Sequence, residues 1–144
     1  MSRITSDAEL RELIESARTI AVVGLSPKEY RDSHRVARYL QRQGYRVIPV
    51  NPNASEILGE RCYERLTQID EPVDIVDVFR RPEFVPDIAR DAVEIGAGTL
   101  WMQVEIVNDT AADIAEAGGV SVVMNRCLMV DHNRLVRLGD SGEE

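Results

Sequence analysis

Only two cysteines occur in the 144 residues. Cys62 and Cys127 lie far apart and form no CxxC pair, which excludes a thiolate metal cage, argues against a disulfide scaffold and fits a reducing, cytoplasmic setting. Histidine is equally scarce. His34 and His132 belong to no HExxH or Cys/His cluster, and no serine sits in a GxSxG elbow, so neither metal binding nor nucleophilic catalysis is supported. The apolar runs are all strand-length, far short of the roughly 20 residues of a membrane span. Met1 to Arg11 has no signal-peptide core, so the chain reads as soluble and unprocessed. Basic residues are outnumbered 17 to 25, and the net charge of -8 opposes nucleic-acid binding.

A hydrophobic content of 44% over this length closes one substantial core. Residues 1–144 therefore read as a single domain, with residues 139–144 as a frayed acidic tail. Ser6 and Glu9 match a capping box ahead of a helix whose Leu10, Leu13, Ile14 and Ala17 share a face. Thr19 to Gly24 is continuously apolar, as a strand buried on both faces is. Ser33 reads as the N-cap of a second helix that faces inward through Val36, Ala37 and Leu40 and stops at Gly44. Arg46 to Val50, Val73 to Phe79, Thr99 to Gln103 and Val120 to Met124 read as further strands. Between them lie a short turn at Glu64 to Gln68, a helix opened by Pro82 with an apolar stripe from Phe84 to Val93, and one capped by Asn108. The alternation predicts an α/β fold: a three-layer, doubly wound, Rossmann-like sheet of about five parallel strands, with its ligand beyond the strands' C-terminal ends.

Charge is uneven along this plan. Lys28, Arg31, Arg35, Arg38, Arg42 and Arg46 crowd the first unit, while Glu105, Asp109, Asp113 and Glu116 dominate a later one. Gly24 ends the first strand, where a missing side chain lets the backbone approach a phosphate, and Ser26 adds a hydroxyl. A dinucleotide fingerprint needs glycines two and five positions further on; Ser26 and Glu29 stand there. The loop through Lys28, Arg31 and Ser33 reads equally as a phosphate cradle and as a solvated turn. Strand two ends in Asn51-Pro52, where an NAD site presents an acid to the ribose. Phe79-Arg80-Arg81-Pro82 joins an aromatic surface and two guanidinium groups to a helix start, a second anion candidate or plain helix punctuation. Trp101-Met102-Gln103 suits either core packing or a channel lining. Cys127 beside Arg126 reads as packing or as a reactive thiol. Asp74 and Asp77 fall on opposite faces of a strand and make no acid/base pair.

In order, these segments resemble the stand-alone coenzyme A-binding family, whose Rossmann-like domain is similar to the first domain of NDP-forming acyl-CoA synthetases and to the succinyl-CoA synthetase α subunit. The resemblance spans roughly Ile20 to Arg134. It rests on Val23-Gly24-Leu25-Ser26, Arg31-Asp32-Ser33, Gly44-Tyr45, Pro49-Val50-Asn51-Pro52, Gly59 with Tyr63, Asp74 to Arg80, Trp101-Met102-Gln103 and Val122 to Cys127. The resemblance implies noncovalent binding of coenzyme A or an acyl-CoA, by a carrier, sensor or partner module, and the residues give a catalytic activity no positive support. Gly24, Ser26 and Arg31 would then hold the phosphates, Asn51 and Pro52 border the adenosine, and Phe79 and Arg80 with Gln103 line the path of the pantetheine arm; Leu25, Lys28, Ser33 and Arg81 complete the expected cofactor-binding set. The family usually has Gly where Glu105 stands and Asp where Asn125 stands. A complete acyl-CoA synthetase reaction is not expected of these residues alone. An NAD(P)- or other nucleotide-binding oxidoreductase and an interaction subunit with an empty pocket are the alternatives. A homo-oligomer or a partner protein is compatible with all three; a membrane is not.

Overall fold

Thr19–Val23 (β1) is buried almost throughout because it lies second from the edge of a sheet covered on both faces. The computed structural model describes residues 3–138, so the tail expected at 139–144 lies outside the described residues. With Arg46–Val50 (β2), Ile75–Val78 (β5), Thr99–Met102 (β6) and Ser121–Val123 (β7), β1 forms a five-stranded parallel sheet of order β2-β1-β5-β6-β7. The expected strands are all present, trimmed by a residue or two where their ends turn into loops.

Edge β2 contains Pro49. Its carbonyl accepts from the Tyr63 amide at 3.0 Å, and the Asn51 amide donates to the Tyr63 carbonyl at 2.9 Å, so a short segment covers this edge. Within a parallel strand a residue's N and O point the same way, and Pro49 therefore turns its hydrogen-free nitrogen outward, where no ladder bond is lost. A two-residue hairpin, Glu56–Ile57 (β3) with Glu60–Arg61 (β4), precedes that segment and was not expected from the sequence. At the opposite edge the Ile4 amide donates to the Val122 carbonyl at 2.8 Å.

Alternation along the strands separates two cores. Ala21, Val23, Val76, Val78 and Leu100 face Val85–Glu94 (α3) and Asp109–Ala117 (α4), whose Ala89, Ala92, Ala111 and Ala115 let two helices pack close. Ile20, Val22, Ile75 and Trp101 face Asp7–Ser16 (α1), Asp32–Arg42 (α2) and Leu128–His132 (α5). The Trp101 indole is fully buried and donates to the Arg126 carbonyl at 2.8 Å, which settles its role as packing. Helix α5, continued by a π-helical turn over Asn133–Arg137, is an element the sequence pattern did not reveal. Two of the three expected side-chain caps form: Ser6 accepts from the Glu9 amide at 3.2 Å and Asn108 from the Ala111 amide at 2.8 Å. No helix among the described residues is long and apolar enough to cross a membrane.

From β1 the chain runs outward through α2 to β2, then returns past β1 to β5. The tips of β1 and β5 are thus the point where the winding reverses, the crevice that open α/β sheets use for ligands.

Candidate functional site

Backbones meet at that crevice. Gly24 has φ +88°, and a Cβ added to it would lie 2.6 Å from the Phe79 carbonyl oxygen, so no side chain fits between the β1 and β5 tips. The Phe79 amide donates to the Val23 carbonyl at 2.8 Å, and the Gly24 amide to the Val50 carbonyl at 2.9 Å. Three strand tips are locked together beneath whatever binds above them.

The loop from Leu25 to the start of α2 is pinned from inside. Ser33 is not the helix N-cap, a position Arg31 occupies without a side-chain cap bond. Instead the Ser33 hydroxyl, at the second residue of the helix, accepts from the Ser26 amide at 3.0 Å. The Ser26 hydroxyl accepts from the Lys28 amide at 3.1 Å, and His34 Nδ1 meets the Ser26 carbonyl at 2.9 Å. From β2, the Asn51 side-chain amide donates to the Leu25 carbonyl at 2.9 Å while its oxygen accepts from the Asn53 amide at 2.7 Å. Ser33 and Asn51 therefore shape the loop, Leu25 is fully buried, and Pro52 stands exposed at the β2 tip. Outside this frame Lys28 and Arg31 reach solvent and form no ion pair among the described residues. Arg35 differs: Asp32 and the Tyr30 carbonyl hold it.

Three cavities adjoin along the rim. The first, about 630 Å³, lies over Gly24, Ser26, Lys28, Arg31 and Phe79. The second, about 510 Å³, shares Asp32 and Phe79 with it and extends over Arg80, Arg81, Gln103, Glu105 and Cys127. A third, about 500 Å³, opens on the α3 side over Val23, Val50, Leu66, Arg80 and Phe84. Arg80 lines both of the latter two, its guanidinium carbon 4.4 Å from the Phe84 ring centroid. Phe84 had read as part of the buried stripe of its helix; it is 44% exposed because it ends a 3-10 turn over Pro82–Phe84, ahead of α3. Its position four residues after Arg80 was the available signal for this stack.

Gln103 ties the far side of the rim. It is buried, and its side-chain oxygen accepts from the Leu128 amide at 3.1 Å, joining the β6 tip to α5. Arg126 is held by Asp131 through bonds of 2.6 and 3.0 Å, so its guanidinium is committed to α5 and not to Cys127. Cys127 is a free, half-buried thiol on the second cavity; Cys62 lies elsewhere, its thiol pushed up by burial. Asp74 accepts from the Arg18 and Thr19 amides at 2.9 Å each and closes the start of β1. Asp77 is fully buried, neither of its oxygens has a partner, and burial holds its carboxyl well above the usual carboxylate range. Among the described residues no cluster of His, Cys, Asp or Glu is arranged to hold a metal ion.

A family model described as a CoA binding domain matches residues 18–133. The chain is 42% identical over 127 residues to the protein YneT of Bacillus subtilis (strain 168), covering 88% of this chain and 94% of that one. It is 30% identical over 121 residues to the ADP-forming acetate–CoA ligase I of Archaeoglobus fulgidus, covering 77% of this chain and only 18% of the ligase. Among solved structures, a protein from Pyrococcus horikoshii OT3 is 36% identical with TM-score 0.90, covering 94% of this chain and 97% of that one. One from Thermus thermophilus is 41% identical with TM-score 0.87, covering 91% and 99%.

Proposed function

We propose that this chain, which belongs to the CoA-binding domain family, binds coenzyme A or an acyl-CoA noncovalently across the C-terminal rim of its sheet. The supporting observation is the run of adjoining cavities that meet at Phe79 and Arg80, with two unpaired cations at one end and a thiol-lined wall at the other. Coenzyme A is long, and its charge sits at one end. Its phosphates suit the first cavity, where Lys28 and Arg31 bring two cations against the single carboxylate of Asp32 at the start of α2. The β2 tip offers Asn51 and Pro52 where a carboxylate would repel a 3'-phosphate, so the adenosine belongs beside them. The arm then crosses Phe79 and Arg80 towards Gln103, Glu105 and Cys127. The role that follows is a carrier, sensor or partner module in which binding itself is the activity.

Calorimetric titration with coenzyme A, its dephospho form and NAD tests this reading. Saturable binding of coenzyme A, weaker for the dephospho form and weakest for NAD, is expected. Tighter binding of NAD would replace the proposal with the dinucleotide alternative.

A further inference from the structure

The peptide groups on either side of Ser26 are both held from behind. Ser33 accepts from the Ser26 amide at 3.0 Å, and His34 Nδ1 lies 2.9 Å from the Ser26 carbonyl oxygen. A carbonyl can only accept, so Nδ1 carries the hydrogen and donates it. Ser33 and His34 are consecutive residues in the first turn of α2, 5% and 6% exposed. The His34 amide also donates to the Arg31 carbonyl at 3.1 Å, so one residue grips the loop at both Ser26 and Arg31.

Ser26 and Arg31 line the first cavity together with Lys28, whereas His34 lines none of the three cavities along the rim. Its influence on that cavity runs through Ser26. The Ser26 hydroxyl oxygen accepts from the Lys28 amide at 3.1 Å, and its own hydrogen goes to no acceptor among the described residues. With the backbone fixed on both sides and the oxygen engaged by Lys28, that hydrogen remains for the space that Lys28 and Arg31 also face. Asp32, the carboxylate of the same cavity, is already engaged by Arg35.

We infer that His34 is a positioning residue for anion binding: its ring aims the Ser26 hydroxyl into the first cavity, where the hydroxyl donates to a phosphate oxygen. The inference rests on the coenzyme A reading above, which puts the ligand's phosphates in that cavity. Once the Nδ1 bond is broken, the Ser26 carbonyl is free to turn and the hydroxyl turns with it. A misdirected donor to a charged oxygen weakens binding roughly fivefold or more.

Calorimetric titration of coenzyme A into the parent and two His34 variants tests this role. Asn carries an amide nitrogen where the ring has Nδ1 and can keep the bond to Ser26; Leu fills the space better and has no donor. A residue that served packing alone would rank Leu above Asn. The positioning role reverses that order: His34→Leu should bind about fivefold or more weakly than the parent, and His34→Asn within about twofold of it. Ser33→Ala frees the other peptide group with a smaller change of volume, and should weaken binding by about threefold or more. Urea unfolding establishes that each variant is folded at the titration temperature. Parent-like affinity in His34→Leu or in Ser33→Ala, or an Asn variant no tighter than the Leu one, overturns the inference while leaving the coenzyme A reading in place. If the parent itself fails to bind coenzyme A, that reading falls and takes this one with it.

Discussion

Replacing Asp77 with asparagine removes an ionisable group from the middle of the sheet with almost no change of shape, and the consequence can be counted in protons. Asp77 stands in register between Val22 and Trp101, alternating with Ile75 on the face that α1, α2 and α5 cover. No donor reaches either carboxylate oxygen, so burial alone raises its pKa well above the ordinary 3.8. In the unfolded chain the group ionises near that ordinary value; in the folded chain it keeps its proton. Folding therefore takes up one proton at every pH between the two values. Stability falls by about 1.4 kcal/mol for each pH unit across that window. The contribution is intact below the unfolded pKa and is lost as pH rises towards the folded one. Asp77→Asn has no such proton. Urea unfolding of both proteins at about pH 4.5 and about pH 5.5 should show the variant gaining about 1.4 kcal/mol on the parent between the two conditions. A constant gap would mean that the native carboxyl is ionised or solvated, and the account of a dry, neutral Asp77 would fail.

His132 has the opposite sign. Burial, with Arg137 adding repulsion, lowers its pKa below 6.5, and it sits edge-on to the Tyr39 and Tyr45 rings with Tyr39 Oη 2.7 Å from its Nδ1. Its contribution is present above the unfolded pKa and is lost as pH falls through the folded one, so Tm should drop on acidification less steeply in His132→Phe than in the parent. Parallel melting curves across that range would return the ring to solvent. Arg31→Ala should weaken coenzyme A binding by about 1–3 kcal/mol through loss of a charge-assisted phosphate contact; an unchanged calorimetric affinity removes Arg31 from the site. Gly24→Ala meets the Phe79 carbonyl at 2.6 Å in a conformation at φ +88°, so chemical unfolding should show a loss of about 1–3 kcal/mol together with impaired ligand binding. Wild-type stability in that variant would show that the β1 and β5 tips can separate freely.

The parts of the fold that were legible in the sequence are those written in local periodicity. Largely apolar runs marked all five strands of the main sheet because both faces are buried, and Ser6 and Asn108 marked their helices because a cap is a contact between near neighbours. Helix α5 escaped notice because its five residues combine with a π-helical turn, too short and too irregular for a 3.6-residue stripe. The hairpin at Glu56–Ile57 and Glu60–Arg61 has two-residue strands and no alternation to read.

The site divides along a different line. Motif and position gathered Gly24, Ser26, Lys28, Arg31, Phe79, Arg80 and Gln103 to one rim, where the structure brings them together. They could not say which polar groups face the ligand space and which are spent on the scaffold. Ser33 and Asn51 have the chemistry of ligand contacts, yet each gives its side-chain hydrogen bonds to the backbone of the loop or the β2 tip. Gln103 commits its oxygen to α5 in the same way. Apart from the local bond between Asn51 and the Asn53 amide, that distinction depends on partners seven to 26 residues away in sequence, which no local pattern contains. It also has a functional consequence. A loop already satisfied internally loses little freedom when an anion arrives, so under the proposed reading Lys28 and Arg31 would act from a frame set before binding, and less of their attraction would be spent on ordering the chain.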